Sequence, residues 1–416
     1  MQENYMSLQV NQYRLWKSIE DINQFGATEL GGVCRLEFSP ENKQARDLFV
    51  DMCKDAGCTV RVDKFGNIFA RRPGRNNEAP AVITGSHLDT QTSGGRFDGI
   101  YGVLAGLEVI RTLNDNNIET LAPIEVAVWT NEEGELFLPM IGSAVWLGMR
   151  DLEETLDLKE ADGLTIRKGL ENMGYLGDMD INPYPVKAYF EAHIEQGPVL
   201  YDNEEVLGVV TCAQEQIWYN IDVQGAEAHA GPTPMESRRD AMVAVSRMVL
   251  EFDRIGRKYP NSRSTCGQFE VYPNSRNTIP GQVKFTGDLR NPDPAVLQQM
   301  DTEMRESVAA IGRDMGITVD IQVHTTIDFV PFNETLVGWV RDAANDTGLP
   351  WREMYTGAGH DCVNIAQRYP ATMIFVPCKD GISHNPAEDA KAEHLAAGCS
   401  VLANAMVRAA NHEGEL

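Results

Sequence analysis

Five short segments of the sequence combine imidazole or carboxylate side chains with glycine in patterns that suit metal chemistry. They are Gly85-Ser86-His87-Leu88-Asp89-Thr90, Gly94-Gly95-Arg96-Phe97-Asp98-Gly99, Asn131-Glu132-Glu133-Gly134, Ala192-His193-Ile194-Glu195-Gln196-Gly197 and Gly381-Ile382-Ser383-His384-Asn385. Nitrogen and oxygen ligands without thiolates suit zinc, manganese or cobalt. The segments therefore indicate a metal site built from histidine and carboxylate side chains.

Each segment alone has an ordinary explanation. A single histidine after a strand is more often a hydrogen-bonded structural residue than a ligand, and Asp98-Gly99 is a common turn or helix cap. The pair Glu132-Glu133 has the composition of a solvated loop. The convergence of all five segments on predicted strand ends of one sheet is what favours a shared site.

Such a site predicts a hydrolase with two metal ions. Two ions a few ångström apart need a bridging carboxylate, and together they polarise a carbonyl group and acidify a water molecule. A neighbouring free carboxylate can take the proton of that water and pass it to a leaving nitrogen. Because the side chains of consecutive residues diverge, we expect one of Glu132 and Glu133 to bind metal and the other to face the water.

The elements that must position these segments alternate between short apolar strands and helices. Strands are predicted at 59–62, 68–71, 81–84, 124–130, 186–193 and 372–376, and helices at 10–25, 40–56, 101–114, 334–347, 360–367 and 390–410. This alternation is typical of a helix-covered α/β sheet, which keeps its site at the carboxyl ends of its strands.

The pattern changes in the middle of the chain. Strands at 217–223, 268–272, 283–289 and 317–323 enclose helices at 238–257 and 295–313 in the order β-α-β-β-α-β. This order predicts a two-layer sandwich of its own. We expect an α/β catalytic domain with a helix-covered mixed sheet, formed by residues 1–213 and 327–416, and an inserted α+β sandwich domain at 214–326.

The composition excludes several classes of protein. The 416 residues carry a formal net charge of −25, so nucleic acid is an unfavourable partner. Met1–Tyr5 begin no secretory signal, and no apolar stretch approaches the ~20 residues that span a bilayer. The eight cysteines are scattered without a C-x-x-C pair, which indicates reduced thiols in a cytoplasmic protein.

Taken together, the five segments resemble the amidase/hydantoinase/carbamoylase family, a branch of the di-zinc aminoacylase/carboxypeptidase superfamily. Its members include N-carbamoyl-L-amino acid hydrolases, β-ureidopropionases and allantoate amidohydrolases. The resemblance runs from about Gly26 to the last predicted helix. It implies a homodimer whose inserted domain serves as lid and dimerisation domain. It also implies two divalent ions per subunit, with zinc expected and manganese, cobalt or nickel as alternatives.

The resemblance assigns roles to the residues of the five segments. It implies one metal on His87 and His193, a second on Glu133 and His384, a bridge at Asp98, a general base at Glu132 and support of His87 by Asp89. Peptidase and aminoacylase members typically carry a carboxylate at the position of His193. The run His-Ile-Glu-Gln-Gly therefore indicates the carbamoylase branch.

Substrate contacts are implied in both predicted domains. His229, in Ala-Glu-Ala-His-Ala-Gly, would reach the partner subunit's active site and stabilise an oxyanion. Asn277 and Arg290 match a substrate-binding pair, in which the guanidinium group holds a carboxylate by two hydrogen bonds. Gln196 and His360 match further substrate contacts. Without the resemblance, His229 has the pattern of a turn histidine and Arg290 that of a structural arginine.

Three positions depart from the pattern of the relatives. Glu135-Leu136-Phe137 stands where many have a small residue followed by Arg-Phe, Cys362 replaces an alanine, and Asn131 replaces a glutamate of several relatives. None of these positions is an expected metal ligand. The arginine of the relatives is absent here and a glutamate is added. Both changes disfavour a second anionic group on the substrate.

The predicted activity is hydrolysis of an N-carbamoyl carbon–nitrogen bond. N-carbamoyl-L-amino acids or N-carbamoyl-β-alanine would yield the amino acid, carbon dioxide and ammonia. Allantoate hydrolysis and amide or dipeptide hydrolysis are alternatives within the superfamily. A metal-dependent binding protein without turnover is the alternative outside enzymes, and it is disfavoured because all expected ligands and the base are present.

Overall fold

The computed structural model describes residues 8–181 and 184–416. Met1–Tyr5, on which the expectation of no secretory signal rests, lie outside the described residues. The helices are α1 (Gln12–Asn23), α2 (Pro40–Asp55), α3 (Ile100–Asp115), α4 (Ile141–Trp146), α5 (Leu152–Leu156), α6 (Ile166–Met173), α7 (Val199–Asp202), α8 (Ala241–Lys258), α9 (Pro294–Met315), α10 (Glu334–Thr347), α11 (Asp361–Ala366) and α12 (Ala392–Asn411).

The strands form three sheets. They are β1 (Thr59–Val62), β2 (Ile68–Arg72), β3 (Ala81–His87), β4 (Ile124–Trp129), β5 (Val186–Ile194), β6 (Leu207–Ala213), β7 (Glu215–Gln224), β8 (Ala228–His229), β9 (Arg263–Thr265), β10 (Phe269–Tyr272), β11 (Thr278–Ile279), β12 (Gln282–Asn291), β13 (Thr318–Ile327), β14 (Val330–Pro331), β15 (Trp351–Thr356) and β16 (Ala371–Val376). The chain divides into two compact units, and the second comprises Cys212–Val330. The described residues up to Thr211, together with Pro331–Leu416, form the first.

A nine-stranded mixed sheet organises the first unit. Its strand order is β1-β2-β4-β3-β5-β16-β6-β14, with β15 beside β6, and the central strands β4, β3, β5 and β16 are parallel. Every residue of β3, β4 and β16 is buried, as expected for strands covered on both faces. The prediction of a helix-covered mixed sheet is confirmed.

Helix α3 packs closely on the centre of this sheet because two of its residues are glycine. A Cβ atom at Gly102 would overlap the main chain at Ala192, and one at Gly106 would press on Thr84 and Val126. The missing side chains let the helix axis approach the strands that carry the metal-binding segments.

The second unit is a two-layer structure with its own core. Its five-stranded antiparallel sheet has the order β10-β12-β7-β13, with β9 beside β12. Alternate residues of β7 and β12 face α8 and α9, so each strand shows the period of two that is typical of a half-covered sheet. Strands β8 and β11 form a separate two-stranded ribbon.

Some elements differ from the sequence-based expectation. Strand β3 extends to His87, so this expected ligand lies at the end of the strand and not after it, while β5 extends one residue beyond its predicted end at His193. Helix α8 begins at Ala241 because the Asp240 side chain caps it, and α11 begins at Asp361 because His360 is extended. The short helices α4, α5 and α6 and the strands β6 and β15 were not predicted.

No helix in the described part of the chain combines the length and apolarity that crossing a bilayer requires.

Candidate metal centre

Four adjacent parallel strands end at the same edge of the first unit's sheet. The segments that follow or complete β3, β4, β5 and β16 carry the histidine and glutamate residues expected to bind metal. The expectation of five strand ends was wrong in one respect, because Asp98 lies in the entrance to α3 and not at a strand end. Four strand ends and one helix entrance therefore form the site.

Backbone carbonyl groups fix the tautomers of the first two histidines. His87 Nδ1 lies 2.9 Å from the carbonyl oxygen of Asp89, and His193 Nδ1 lies 2.8 Å from that of Ile194. A carbonyl oxygen only accepts, so Nδ1 is the protonated nitrogen of each neutral ring. Each Nε2 atom then presents its lone pair to the interior of the site, as a metal ligand does.

Asp98 joins two groups of potential ligands through its two oxygens. Oδ1 lies 3.2 Å from His193 Nε2 and 3.8 Å from His87 Nε2, while Oδ2 lies 3.1 Å from His384 Nε2. Glu133 Oε2 lies 3.5 Å from the same His384 nitrogen. Ligands on one tetrahedral zinc ion at bond lengths of ~2.0–2.1 Å are separated by about 3.3 Å. Both groups have spacings close to this value.

The donor chemistry of these residues fits divalent cations. In the described part of the chain, His87, Asp98 and His193 form one potential metal-binding group, and Asp98, Glu133 and His384 form another. His193 Nε2 is buried 3.2 Å from the Asp98 carboxylate, yet it has no partner at hydrogen-bond geometry. A cation between the two atoms would coordinate both and take the place of the proton that Asp98 otherwise draws to this ring.

Glu132 is buried beside the first of these groups. Its Oε2 atom lies 3.4 Å from His87 Nε2. Burial and the negative charge of Asp361, followed by that of Glu133, raise the pKa of Glu132 well above its ordinary value. A carboxylate of this kind, close to a cationic centre, is suited to accept and return a proton.

The role of Asp89 differs from the expected one. The His87 ring bonds to the carbonyl oxygen of Asp89, and the Asp89 carboxylate is 3.7 Å from the ring. That carboxylate instead accepts the backbone N–H groups of Glu132 and Glu133, at 3.4 and 3.1 Å. Asp89 therefore orients both His87 and the two glutamates, through different atoms.

The histidines have different proton affinities. Burial lowers the pKa of His87 to about 4, so its ring is neutral at neutral pH. Burial also opposes the charge on His193, but its contact with the Asp98 carboxylate outweighs burial and raises the pKa to about 9. For Asp98, burial is outweighed by the neighbouring imidazoles, which hold its pKa well below the ordinary range.

Gln196 and His360 also lie at this centre. Gln196 Nε2 donates to Asp98 Oδ2 at 2.9 Å, whereas its Oε1 atom is buried without a hydrogen bond. The His360 ring centroid lies 4.5 Å from that of His193, and its buried Nε2 atom has no hydrogen-bond partner. Both side chains thus have a buried polar atom that lacks a hydrogen-bond partner.

A third group of potential ligands comprises Glu191, His193 and His360. The Glu191 oxygens already accept hydrogen bonds from Ser86 Oγ at 2.8 Å and from the backbone N–H of Cys362 at 3.0 Å. Since its oxygens are occupied, Glu191 is better suited to supporting His193 than to binding an ion.

The remaining expected residues belong to the second unit. The ribbon of β8 and β11 pairs His229 with Thr278, and the backbone N–H of Ala230 donates to the carbonyl oxygen of Asn277 at 2.8 Å. His229 and Asn277 are therefore neighbours, and both are exposed. Arg290 lies on β12, where its Nη2 and Nε atoms bond to Asp288 at 2.7 and 3.0 Å.

Several buried residues of the centre were missed by the sequence analysis. They are Glu191, Asp361 and Glu388, and half-buried Gln91, which donates to Glu133 Oε2 at 2.7 Å, was missed with them. Acidic residues outside a known motif resemble solvated surface charges in a sequence. What distinguishes the acidic residues of the centre is that they are both buried and paired with neighbouring groups. Neither property can be read from the sequence.

All three departures from the relatives' pattern adjoin segments of the site. Glu135 is exposed and accepts a hydrogen bond from Thr92 Oγ1 at 2.8 Å. Cys362 is buried in α11, and burial raises its thiol pKa well above the ordinary value. Asn131 donates to the carbonyl oxygens of Leu136 and Leu138, at 2.8 and 3.0 Å, and so organises the loop that contains Glu135.

The α/β sheet with two carboxylate-bridged donor groups defines the class of metal-dependent hydrolases. The sequence profile of peptidase family M20/M25/M40 matches residues 83–408. The chain belongs to this family, whose members use two metal ions, and within it to the hydantoinase/carbamoylase amidases.

Individual relatives are similar over almost the full chain. An N-carbamoyl-L-amino-acid amidohydrolase of Rhizobium meliloti is 40% identical over 96% of this chain and 97% of its own length. An allantoate amidohydrolase of Escherichia coli is 35% identical over 92% and 94%. The crystal structure of a hydantoinase/carbamoylase family amidase from Burkholderia multivorans is 51% identical, covers 98% of this chain and 100% of that protein, and has a TM-score of 0.94. The predicted family and hydrolase class are confirmed.

Proposed function

We propose that this protein hydrolyses the carbamoyl carbon–nitrogen bond of an N-carbamoyl-L-amino acid or N-carbamoyl-β-alanine, releasing the amino acid, carbon dioxide and ammonia. The observation that carries the reaction type is the Asp98 carboxylate, whose two oxygens face separate groups of ligands. The names of relatives such as that of Rhizobium meliloti support the substrate class.

In this proposal His87 and His193 would hold one divalent ion, Glu133 and His384 would hold the second, and Asp98 would serve as a ligand to both. Bound ions would polarise the substrate carbonyl and acidify a water molecule. Zinc is the proposed metal because imidazole and carboxylate ligands at these spacings suit it, and manganese, cobalt and nickel are alternatives.

Glu132 is the proposed general base and acid. Its carboxylate takes the proton of the attacking water and returns it to the departing nitrogen of the amino acid. The carbamate that remains decomposes to carbon dioxide and ammonia. Burial of Glu132 excludes bulk water from this proton transfer.

Other residues are proposed to bind the substrate. Arg290 and Asn277 hold the amino acid carboxylate, while Gln196 and His360 contact the carbamoyl group. The pairing of Arg290 with Asp288 supports a guanidinium group oriented before substrate binds. His229 is proposed to stabilise the oxyanion in the partner subunit's active site, a role that its exposure supports.

We propose a homodimer formed through the second unit, which also serves as the lid. Strand β13, from Thr318 to Ile327, is the last strand at one side of that unit's sheet. Its residues Val323 and Ile327 expose 49% and 39% of their surface. A long edge strand with exposed apolar side chains is suited to pair with a second copy.

Allantoate is a second candidate substrate. It carries the same ureido group, and allantoate amidohydrolases of Escherichia coli and Bacillus subtilis are 35% and 33% identical to this chain. Exposed Glu135 in the loop after β4 favours a substrate without a second anionic group.

Ammonia release by metal-reconstituted protein tests the proposal. The substrates are N-carbamoyl-L-amino acids, N-carbamoyl-β-alanine and allantoate, with N-acetyl amino acids and dipeptides as controls. We expect chelator-sensitive ammonia release from a carbamoyl compound, with one amino acid formed for each ammonia. Cleavage restricted to the N-acetyl or dipeptide controls would contradict the proposed reaction.

A further inference from the structure

Glu388 is a buried acidic residue to which the proposed mechanism gives no role. It lies between His384 and α12, and only 1% of its surface is exposed. Its Oε1 atom accepts the backbone N–H groups of Phe97 and Asp98 at 2.8 and 3.2 Å. Its Oε2 atom accepts a hydrogen bond from Ser383 Oγ at 2.8 Å. One carboxylate thus contacts both the Asp98 segment and the residue next to His384.

The two segments have no equivalent support of their own. The backbone N–H groups of Phe97 and Asp98 precede helix α3 and take no part in its hydrogen bonds, so these buried groups need an acceptor from elsewhere. His384 has a φ angle of 51°, a left-handed conformation that surrounding contacts must hold for a residue with a side chain. Glu388 supplies the acceptor to the first segment and, through Ser383, a contact to the second.

The chain leaves space for this carboxylate at Gly95. A Cβ atom built on Gly95 would overlap the Glu388 carboxyl group. The adjacent acidic residue, Asp389, has a different environment, because it pairs with Arg96 at 3.0 Å and its side chain is about half exposed. The contact to the two segments is therefore specific to Glu388.

We propose that Glu388 is a positioning residue that holds Asp98 and His384 at the separation required by the second metal ion. The inference rests on the proposed function in that it takes the two ligand groups to be metal sites. The group of His87 and His193 lies on strands β3 and β5 and depends less on this contact. Because Asp98 belongs to both ligand groups, loss of Glu388 should weaken both metal sites, and the second, which also loses the support of His384, more than the first.

The experiment titrates Zn²⁺ into chelator-stripped, full-length protein in the presence of a chromogenic competing chelator. Wild type should bind two equivalents. Glu388→Ala should bind the second ion about 10–100-fold more weakly, the range found when residues that orient ligands are lost, and the first ion with a smaller loss of affinity. Gly95→Ala should have the same effect because its methyl group displaces the carboxylate.

Two further variants separate positioning from a general loss of structure. Glu388→Gln should restore tight binding of the second ion, because its amide oxygen can accept both backbone N–H groups. Ser383→Ala removes a hydroxyl that donates to Glu388 Oε2 and also lies 3.4 Å from Asp98 Oδ2, the oxygen that faces His384, so it should weaken the second ion more than the first. Asp389→Asn is the matched control and should bind as wild type. Circular dichroism before each titration checks that the chain is folded.

The outcomes distinguish the two proposals. Equal binding of both ions by wild type, Glu388→Ala and Ser383→Ala would overturn the positioning role, as would a Gln variant no better than Ala. Loss of both sites to the same extent in folded Ser383→Ala would also overturn it. A wild-type protein that binds fewer than two ions would instead overturn the proposed function on which the inference rests.

Discussion

At the residue scale, Glu132 is buried and its carboxylate lies next to His87. These are the two properties that the proposed mechanism requires of a general base. The Glu132→Gln variant keeps the side-chain volume but cannot accept the proton. We expect kcat to fall about 10²–10⁴-fold with metal content unchanged. Turnover and metal analysis of the same preparation measure this, with exposed Glu171→Gln as the control. Near-normal turnover with both ions bound would show that another group is the base.

Proton release on metal binding is a second residue-scale prediction. Without metal, contact with Asp98 raises the pKa of His193 to about 9, and burial raises that of Glu133 well above its ordinary value. His193 therefore holds a proton at neutral pH and must lose it to bind a cation, and the raised pKa of Glu133 acts in the same direction, so metal affinity should increase as pH rises. Calorimetry in two buffers of different ionisation enthalpy measures the released protons. Identical heats in both buffers would contradict the prediction.

The sequence predicts the histidines of this site better than its carboxylates. His87 and His193 stand in glycine-flanked segments after apolar strands, and few histidines occur in the chain, so each is conspicuous. Glu388 and Glu191 are two among 61 acidic residues, and nothing in their local sequence indicates burial. The contacts that distinguish them join residues far apart in the chain, for example Glu388 with Phe97.

At the element scale, the entrance to α3 brings Asp98 close to His87, and Gly99 makes this possible. Gly99 has a φ angle of 67°, and a Cβ atom there would overlap the His87 ring. We expect Gly99→Ala to displace His87 and to weaken metal binding by tenfold or more, as is common when the support of a ligand is lost. Metal titration of the folded variant measures this effect.

Gly57→Ala is the matched control for this variant. Gly57 also has a positive φ angle, 84°, but a Cβ atom added there would have no atom within 4 Å. The substitution should cost only the backbone strain, about 1–2 kcal/mol in the free energy of unfolding, and leave metal affinity unchanged. Equal metal affinity of the two alanine variants would show that the space beside His87 is not required.

Helices and strands whose apolar residues recur with a clear period were predicted closely, and elements without such a period were missed. Helix α10 has the predicted bounds Glu334–Thr347, because Asn333 caps one end and Gly348 the other. Helices α4 and α5 have only six and five residues, too few to show a helical period in the sequence. Their positions depend on packing against the first unit's core.

At the scale of the whole molecule, the proposed dimer requires His229 of one subunit to act in the other subunit's site. Separately, His229→Ala and Glu132→Gln should each be nearly inactive. Subunits exchanged between the two variants should recover about one quarter of wild-type activity, because half of the dimers contain one site with both residues intact. Activity after co-refolding of an equal mixture measures this, and no recovery would place His229 in its own subunit's site.

The two-unit organisation was visible in the sequence because the order of strands and helices changes between 214 and 326. The lid function and the homodimer have no such signature in the sequence, and both were predicted from the family resemblance.

The most direct test of the account is the position of bound metal in a crystal of the reconstituted protein. Anomalous diffraction at the metal absorption edge should show two peaks, one on each side of the Asp98 carboxylate. The first should be bound by His87 and His193, and the second by Glu133 and His384. A single peak, or two peaks that do not share Asp98, would contradict the bridged centre on which the proposed reaction depends.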